Sequence, residues 1–251
     1  MMNCITIRFY AELNDFLPQN RRQLAFSHFF YGQPSVKDLI ETLGVPHTEV
    51  DLILIDGKSS DFSRQLCGGE RVAVYPHFKE LDVSAVSRMQ PASLSEFRFT
   101  VDAPLGKLAS LLRMVGFDAQ YDKNVSDNQL AEESSAERRI LLTVDRELLK
   151  RKKVVYGYCI RSWDPTQQLN EVLNRFNLFD RLRPFERCLR CNGVLRPIPK
   201  EQVLSRLPEM VRESLNEFYQ CPGCGRIYWK GTHYHHMNDF IQHLKAKNLH
   251  S

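Results

Sequence analysis

Two acidic residues stand directly behind hydrophobic runs. Asp102 follows Phe97-Arg98-Phe99-Thr100-Val101, and Asp145 follows Ile140-Leu141-Leu142-Thr143-Val144. In open parallel sheets ligands bind beyond the carboxyl ends of the strands, so neighbouring strands of this kind would bring both carboxylates to one rim. Asp127 opens a predicted helix on the same side, and Glu147 lies two residues past Asp145. Three or four carboxylates at one place repel unless a cation neutralises them. Their hard oxygens suit magnesium or manganese. Such an ion can activate water and clamp the oxygens of a phosphodiester. Taken singly, Asp127 and Asp145 also read as helix caps and Glu147 as a solvated acid.

The second constellation is sulfur. Cys188-x-x-Cys191 and Cys221-x-x-Cys224 are separated by 29 residues, and each pair is followed by turn formers, Asn192-Gly193 and Gly225. Two such knuckles predict a closed, structural zinc site with four thiolate ligands. The other three cysteines, Cys4, Cys67 and Cys159, lie in or beside apolar runs and read as plain thiols.

The third is a basic face. Residues 1–90 and 91–150 each carry a net charge of −2, whereas residues 151–251 hold 17 basic and 9 acidic side chains, a net of +8. Zinc on four thiolates lowers this to about +6. Arg181, Arg183, Arg187, Arg190 and Arg196 flank the first knuckle, and Trp229, Lys230 and His233 follow the second. Aromatics interleaved with basic groups offer base stacking and phosphate contact, so a polyanion such as RNA is the expected partner. A buried aromatic cluster is the competing reading for Trp229.

The elements that must position these groups follow from patterning. Ile5, Ile7 and Phe9 alternate on a first strand, and a second is expected over 23–29. Ser35 and Asp38 have capping-box spacing ahead of a helix bearing Val36, Leu39, Ile40 and Leu43, which Gly44 ends. Strands over 52–55 and 71–75 complete a β-grasp order. Residues 81–96 read as a linker. Residues 97–180 then alternate strands (97–102, 119–121, 140–145, 154–160) with helices (105–115, from 127, and 168–179), which implies a parallel sheet. A further helix is expected near 209–218.

Composition narrows the classes. The chain has 251 residues, 43% of them hydrophobic and 25% charged, which excludes wholesale disorder. No apolar stretch is long enough to span a membrane. The start MMNCITIRFYAELND lacks the pattern of an export signal. A reducing, cytoplasmic setting is therefore expected, with no membrane partner.

Two resemblances add to this. The segments ITIRFYAELNDFL, PSVKDLIETLGVP and GGERVAVYP resemble the ubiquitin-like fold of the ThiS and MoaD sulfur carriers. Those carriers need a free terminal Gly-Gly. Here Gly68-Gly69 precedes the last strand and 182 residues follow, so docking or positioning replaces carrier chemistry as the expectation. Residues 97–236 resemble the Mut-seven carboxy-terminal RNase family, a PIN-like domain with an attached zinc ribbon. The resemblance rests on FTVDAPLGKLASLLRMVGFDAQYD, DNQLAEESSAERRILLTVDREL, CLRCNGVL and CPGCGRIYWKGTHYHHM. It implies that Asp102, Asp127 and Asp145 bind the catalytic magnesium or manganese, with Glu147 where PIN domains often carry a fourth acid. The family's Thr-Arg-Asp is Thr143-Val144-Asp145 here, without that arginine. Lys107 and Arg113 on the first helix become candidate phosphate partners.

The expected organisation is α+β and α/β multidomain: a ubiquitin-like β-grasp (1–80), a linker (81–96), a PIN-like parallel-sheet domain (97–180), and a zinc ribbon with a basic tail (181–251). The expected activity is metal-dependent hydrolysis of RNA. The alternative is a non-catalytic RNA-binding adaptor that uses the ribbon and its basic face. A protein partner is expected for the ubiquitin-like domain, and the patterning does not specify an oligomeric state. No predicted catalytic ligand lies in residues 1–85, so cutting of a generic RNA is expected to survive their removal.

Overall fold

Successive side chains of a strand point to opposite faces. In β1 (Met2–Phe9) Ile5, Ile7 and Phe9 are accordingly buried, whereas Thr6 and Arg8 are exposed. The structure is a computed structural model and describes residues 2–78, 87–88, 94 and 96–248, with residues 247 and 248 described by backbone alone. Most of the linker expected over 81–96 lies outside the described residues, as do residues 249–251 of the basic tail.

The second strand, β2, runs Ala25–Tyr31 rather than 23–29. Gln23 cannot join it: its φ is 58° and its amide donates to Asn14 Oδ1 at 2.6 Å. Helix α1 (Val36–Thr42) starts as expected, with the Ser35 side chain accepting from the Asp38 amide. Its Val36, Leu39 and Ile40 share one helical face and are buried. β3 (Leu52–Ile55) turns through Asp56-Gly57 into β4 (Lys58–Ser60), and β5 (Arg71–Tyr75) closes the sheet. The order β2-β1-β5-β3-β4, with only β1 and β5 parallel, is that of a β-grasp.

β6 (Arg98–Val101), α2 (Gly106–Met114) and β7 (Asp118–Tyr121) follow, with β6 and β7 parallel. Gly116 closes α2 at a φ of 104°. A Cβ there would lie 2.1 Å from the Arg183 carbonyl oxygen, so no other residue fits. α3 (Asp127–Ala136), β8 (Ile140–Thr143), α4 (Arg146–Leu149) and β9 (Gly157–Cys159) come next, with β8 and β9 parallel. β9 is shorter than the expected strand over 154–160.

α5 spans Pro165–Arg175 rather than 168–179. Asp164 caps it by accepting from the Gln167 amide, and Pro165 occupies its first turn. Beyond it Asn177 turns left-handed, with a φ of 50°. The C-terminal segment contains β10 (Arg196–Ile198), α6 (Glu209–Ser214), β11 (Phe218–Gln220), β12 (Ile227–Trp229) and α7 (Thr232–Asn248). β10, β11 and β12 form an antiparallel sheet. Neither that sheet nor α7 was apparent from the patterning.

The chain divides into two compact units: Met1–Glu96 with Val125–Cys159, and Phe97–Asn124 with Ile160–Ser251. The first includes a large apolar core. It joins the β-grasp residues Ile7, Phe16, Val36, Ile40 and Val50 to Leu130, Leu141, Leu148, Leu149 and Val154. The second unit includes a small core of Val203, Leu207 and Phe218.

Candidate functional site

The two knuckles fold alike. In the first, the Asn192 amide donates to the Cys188 carbonyl at 2.9 Å, and the Cys188 amide donates to Gly193 at 2.8 Å. In the second, the Gly225 amide donates to Cys221 at 2.8 Å, and the Cys221 amide to Arg226 at 2.9 Å. Asn192 and Gly225 both have a φ of 70°, the left-handed conformation that closes each turn.

The four Sγ atoms lie within 4.8 Å of one another, with Cys191–Cys221 at 3.3 Å and Cys188–Cys224 at 3.5 Å. Thiolates about 2.3 Å from a tetrahedral zinc have S–S edges of about 3.8 Å, inside that range. The four cysteines are therefore close enough to hold one zinc ion. Burial acts to raise the Cys188 thiol. Hydrogen bonds from the Tyr228 hydroxyl and the amides of Cys191 and Arg190 outweigh it and bring the pKa down to about 6. Tyr228 is driven the other way, first by burial and then by its hydrogen bond to Cys188. Its hydroxyl is 3.1 Å from Cys188 Sγ and accepts from the Leu189 amide. The spacing of the cysteines gave no sign of this tyrosine's part.

Several expected phosphate contacts have other partners. Arg113 is buried, and its guanidinium donates to the carbonyls of Ala119, Leu189 and Arg190 at 2.8–3.1 Å. It ties α2 and β7 to the first knuckle, which corrects its reading as a phosphate partner. Burial lowers its pKa, against the pull of Cys188, Cys191 and Asp118. Asn192 reinforces the tie by accepting from the Ala119 amide and donating to Asp118. Arg187 is half-buried between Asp118, 3.5 Å away, and the Asn192 carbonyl. Trp229 is half-buried against the small Val203–Leu207–Phe218 core, so it is first a packing residue of the ribbon. Lys230 is exposed and pairs with Glu217 at 2.7 Å, which raises its pKa. Lys107, Arg190 and His233 are exposed.

Beside the first knuckle lies a cavity of about 480 Å³, lined by Phe185, Leu195, Tyr219, Tyr228, Tyr234 and Met237, among others. Tyr219 and Tyr228 face one another across β11 and β12, and the Phe185 and Tyr234 rings are 4.5 Å apart. Arg187 and Lys230 border the same cavity.

The acids occupy the turns that follow strands or open helices. Asp102, in the second unit, directly follows β6. It is 9% exposed, and its carboxylate accepts from the Ala103 amide at 2.7 Å. Asp145, in the first unit, lies two residues past β8 and caps α4: its carboxylate accepts from the Glu147 amide at 2.8 Å, and its own amide donates to Thr143 Oγ1. Asp145 and Glu147 thus share one turn, where Glu147 also pairs with Lys150. Asp127 is the first residue of α3. The cap is its neighbour Ser126, in a full capping box with Gln129. The Asp127 carboxylate, half exposed, lies 3.1 Å from Arg151.

Among the described residues no helix is long and apolar enough to cross a membrane. Among curated proteins and among solved structures, nothing matches the chain significantly. The family model described as Mut7-C RNAse domain matches residues 97–241, more than half the chain, and that described as Mut7-C ubiquitin matches residues 2–82. The chain therefore belongs to the Mut7-C RNAse domain family and carries the Mut7-C ubiquitin domain ahead of it.

Proposed function

We propose that the protein is a metal-dependent ribonuclease of the cytoplasm. The observation that carries this reading is the match to the RNAse domain over the segment in which Asp102 and Asp145 follow the hydrophobic strands β6 and β8. In this reading Asp102, Asp127 and Asp145 hold magnesium or manganese, with Glu147 beside them. The donor set is all carboxylate oxygen, which fits such an ion. When bound, the ion lowers the pKa of water and neutralises charge on the phosphodiester.

The chain's own residues orient that chemistry. The Glu147 amide and the Thr143 hydroxyl fix the Asp145 turn. In the pairs Asp127–Arg151 and Glu147–Lys150 the carboxylates reach solvent while the cations are half-buried, so a metal ion could approach each carboxylate from the solvent side. The basic face of residues 181–236 holds the RNA, with Arg190, His233 and Lys107 reaching phosphates. The tyrosine-lined cavity offers stacking to an unpaired base. Zinc on Cys188, Cys191, Cys221 and Cys224 keeps this face in shape.

Asp145→Asn tests the reading. The amide preserves size and removes one charge and one strong ligand. A loss of about 3–4 kcal/mol in the transition state slows cutting roughly 100- to 1000-fold. RNA affinity in metal-free buffer stays near the parental value. A folded Asp145→Asn protein that cuts RNA at the parental rate under saturating manganese sinks the assignment. The two satisfied ion pairs also favour a second reading, the non-catalytic RNA-binding adaptor. An inactive parent that binds several RNAs tightly decides for it.

A further inference from the structure

The β-grasp core does not end where the β-grasp does. Its apolar cluster continues through Leu130 and Ala131 of α3, Leu141 of β8, Leu148 and Leu149 of α4, and Val154 and Cys159 at β9. Polar contacts run along the same junction. The carboxylate of Glu49, 1% exposed, accepts from the Cys159 amide at 2.6 Å. His47, two residues earlier, donates from Nε2 to the Val154 carbonyl at 2.9 Å. The Arg146 guanidinium donates to the carbonyls of Phe16 and Asp15, each at 3.3 Å, and lies over the Phe16 ring at 4.9 Å.

These contacts fall on particular places. Cys159 is the last residue of β9, and its Sγ approaches the Val144 carbonyl at 4.0 Å. Val144 is the residue before Asp145, and Arg146 the residue after it. The β-grasp therefore grips the chain on both sides of Asp145: at Arg146 directly, and at Val144 through the end of β9. A buried carboxylate that satisfies a backbone amide is costly to remove, because the amide is then left without its partner.

We propose that the ubiquitin-like domain is a built-in brace of the nuclease, and that Glu49 and Arg146 are positioning residues for the Asp145–Glu147 turn. The proposal rests on the nuclease reading for its consequence on rate. The brace itself concerns only geometry within the first unit. It replaces the expectation that residues 1–85 are dispensable. It also gives a use to an arginine placed just after the acid, in a chain that lacks the one expected just before it.

The test uses the full-length protein and four variants: Arg146→Ala, Arg146→Lys, Glu49→Ala and Glu49→Gln. Two readouts are taken, backbone hydrogen exchange at 144–149 and 157–159, and steady-state cutting of RNA with manganese titrated. Misplacing a reacting group by about 1 Å can cost roughly 100-fold. The expected result for both alanine variants is faster exchange in those two stretches, kcat lowered roughly 10- to 100-fold with KM for RNA within about twofold, and more manganese needed for half-maximal rate. Glu49→Gln, which keeps the acceptor oxygen, stays close to the parent. Arg146→Lys, which can reach one carbonyl but not both, recovers part of the loss. If Glu49→Ala does not fold, Arg146→Ala carries the test, since Arg146 is an exposed residue. Parental exchange and parental kcat in a folded Arg146→Ala protein overturn the brace. If the parent itself cuts no RNA, the nuclease reading fails, and exchange alone decides: protection lost at 144–149 upholds the brace, and protection unchanged overturns it.

Discussion

The ribbon and the junction around Glu49 hold together by opposite means. In the ribbon, two short knuckles bring four thiols within 4.8 Å of one another, beside a core of only a few apolar side chains. At the junction, a wide apolar core does the work, and a handful of polar contacts fix its register. Local motifs build the first: each knuckle spans four residues, and the two meet across separations of 30 and 36 positions. The second joins residues 107 and 110 positions apart, as in His47–Val154 and Glu49–Cys159. A site made of two local knuckles can be rebuilt by restoring its ion, whereas a junction spread over more than 100 positions must be rebuilt by refolding.

The largest expected effect follows from that difference. Structural zinc in small domains is worth about 10 kcal/mol or more. Chelation, or Cys191→Ser, is expected to release one zinc per chain and abolish exchange protection over 185–230, while the β-grasp strands stay protected. Elemental analysis and hydrogen exchange read this, and freshly reduced protein without zinc refutes it. Removal of residues 2–82 comes next. It uncovers Leu141, Leu148, Leu149 and Val154, worth roughly 5 kcal/mol or more of burial. The fragment is expected to aggregate, or to lose protection in α4 and β9, and light scattering with exchange distinguishes the two. A monomeric fragment with native protection there would erase the contrast between the two regions.

A smaller effect sharpens the ribbon side. Tyr228→Phe removes the hydroxyl between Cys188 Sγ and the Leu189 amide. One hydrogen bond to a charged sulfur is worth about 1.5–3 kcal/mol, so zinc loss to a competing chelator speeds up roughly tenfold or more without change of fold. The smallest effect is that of Lys230→Ala. The Lys230–Glu217 pair is exposed and screened by solvent, so the melting temperature is expected to stay at the parental value. RNA affinity measured against salt then tells whether Lys230 also meets phosphate.

Legibility followed the same divide. The paired cysteines, the Ser35 cap and the strands at 52–55 and 71–75 were readable, because each is encoded within a few residues. The shift of β2 was not, since it depends on Asn14 capturing the Gln23 amide from nine positions away. Arg113 read as a surface charge because helical spacing does not reveal that three carbonyls converge on it. Glu49 carried no signal at all: an acid in a short turn looks solvated until the strand end it meets is known. The antiparallel ribbon strands escaped notice because each is three residues long, too short for alternation to register.

The shared core also sets a timetable for synthesis. The β-grasp is described through residue 78, but Cys159, the last residue of its apolar cluster, is made 81 residues later. At about 5–20 residues per second the ribosome takes roughly 4–16 s to cover that distance. Through that interval the newborn β-grasp presents the side of Phe16 and Val50 without the helix and strand that cover it. A chaperone that binds exposed apolar surface would meet this chain there, and synonymous codons that slow translation between 79 and 159 would lengthen the encounter without altering one residue of the finished protein.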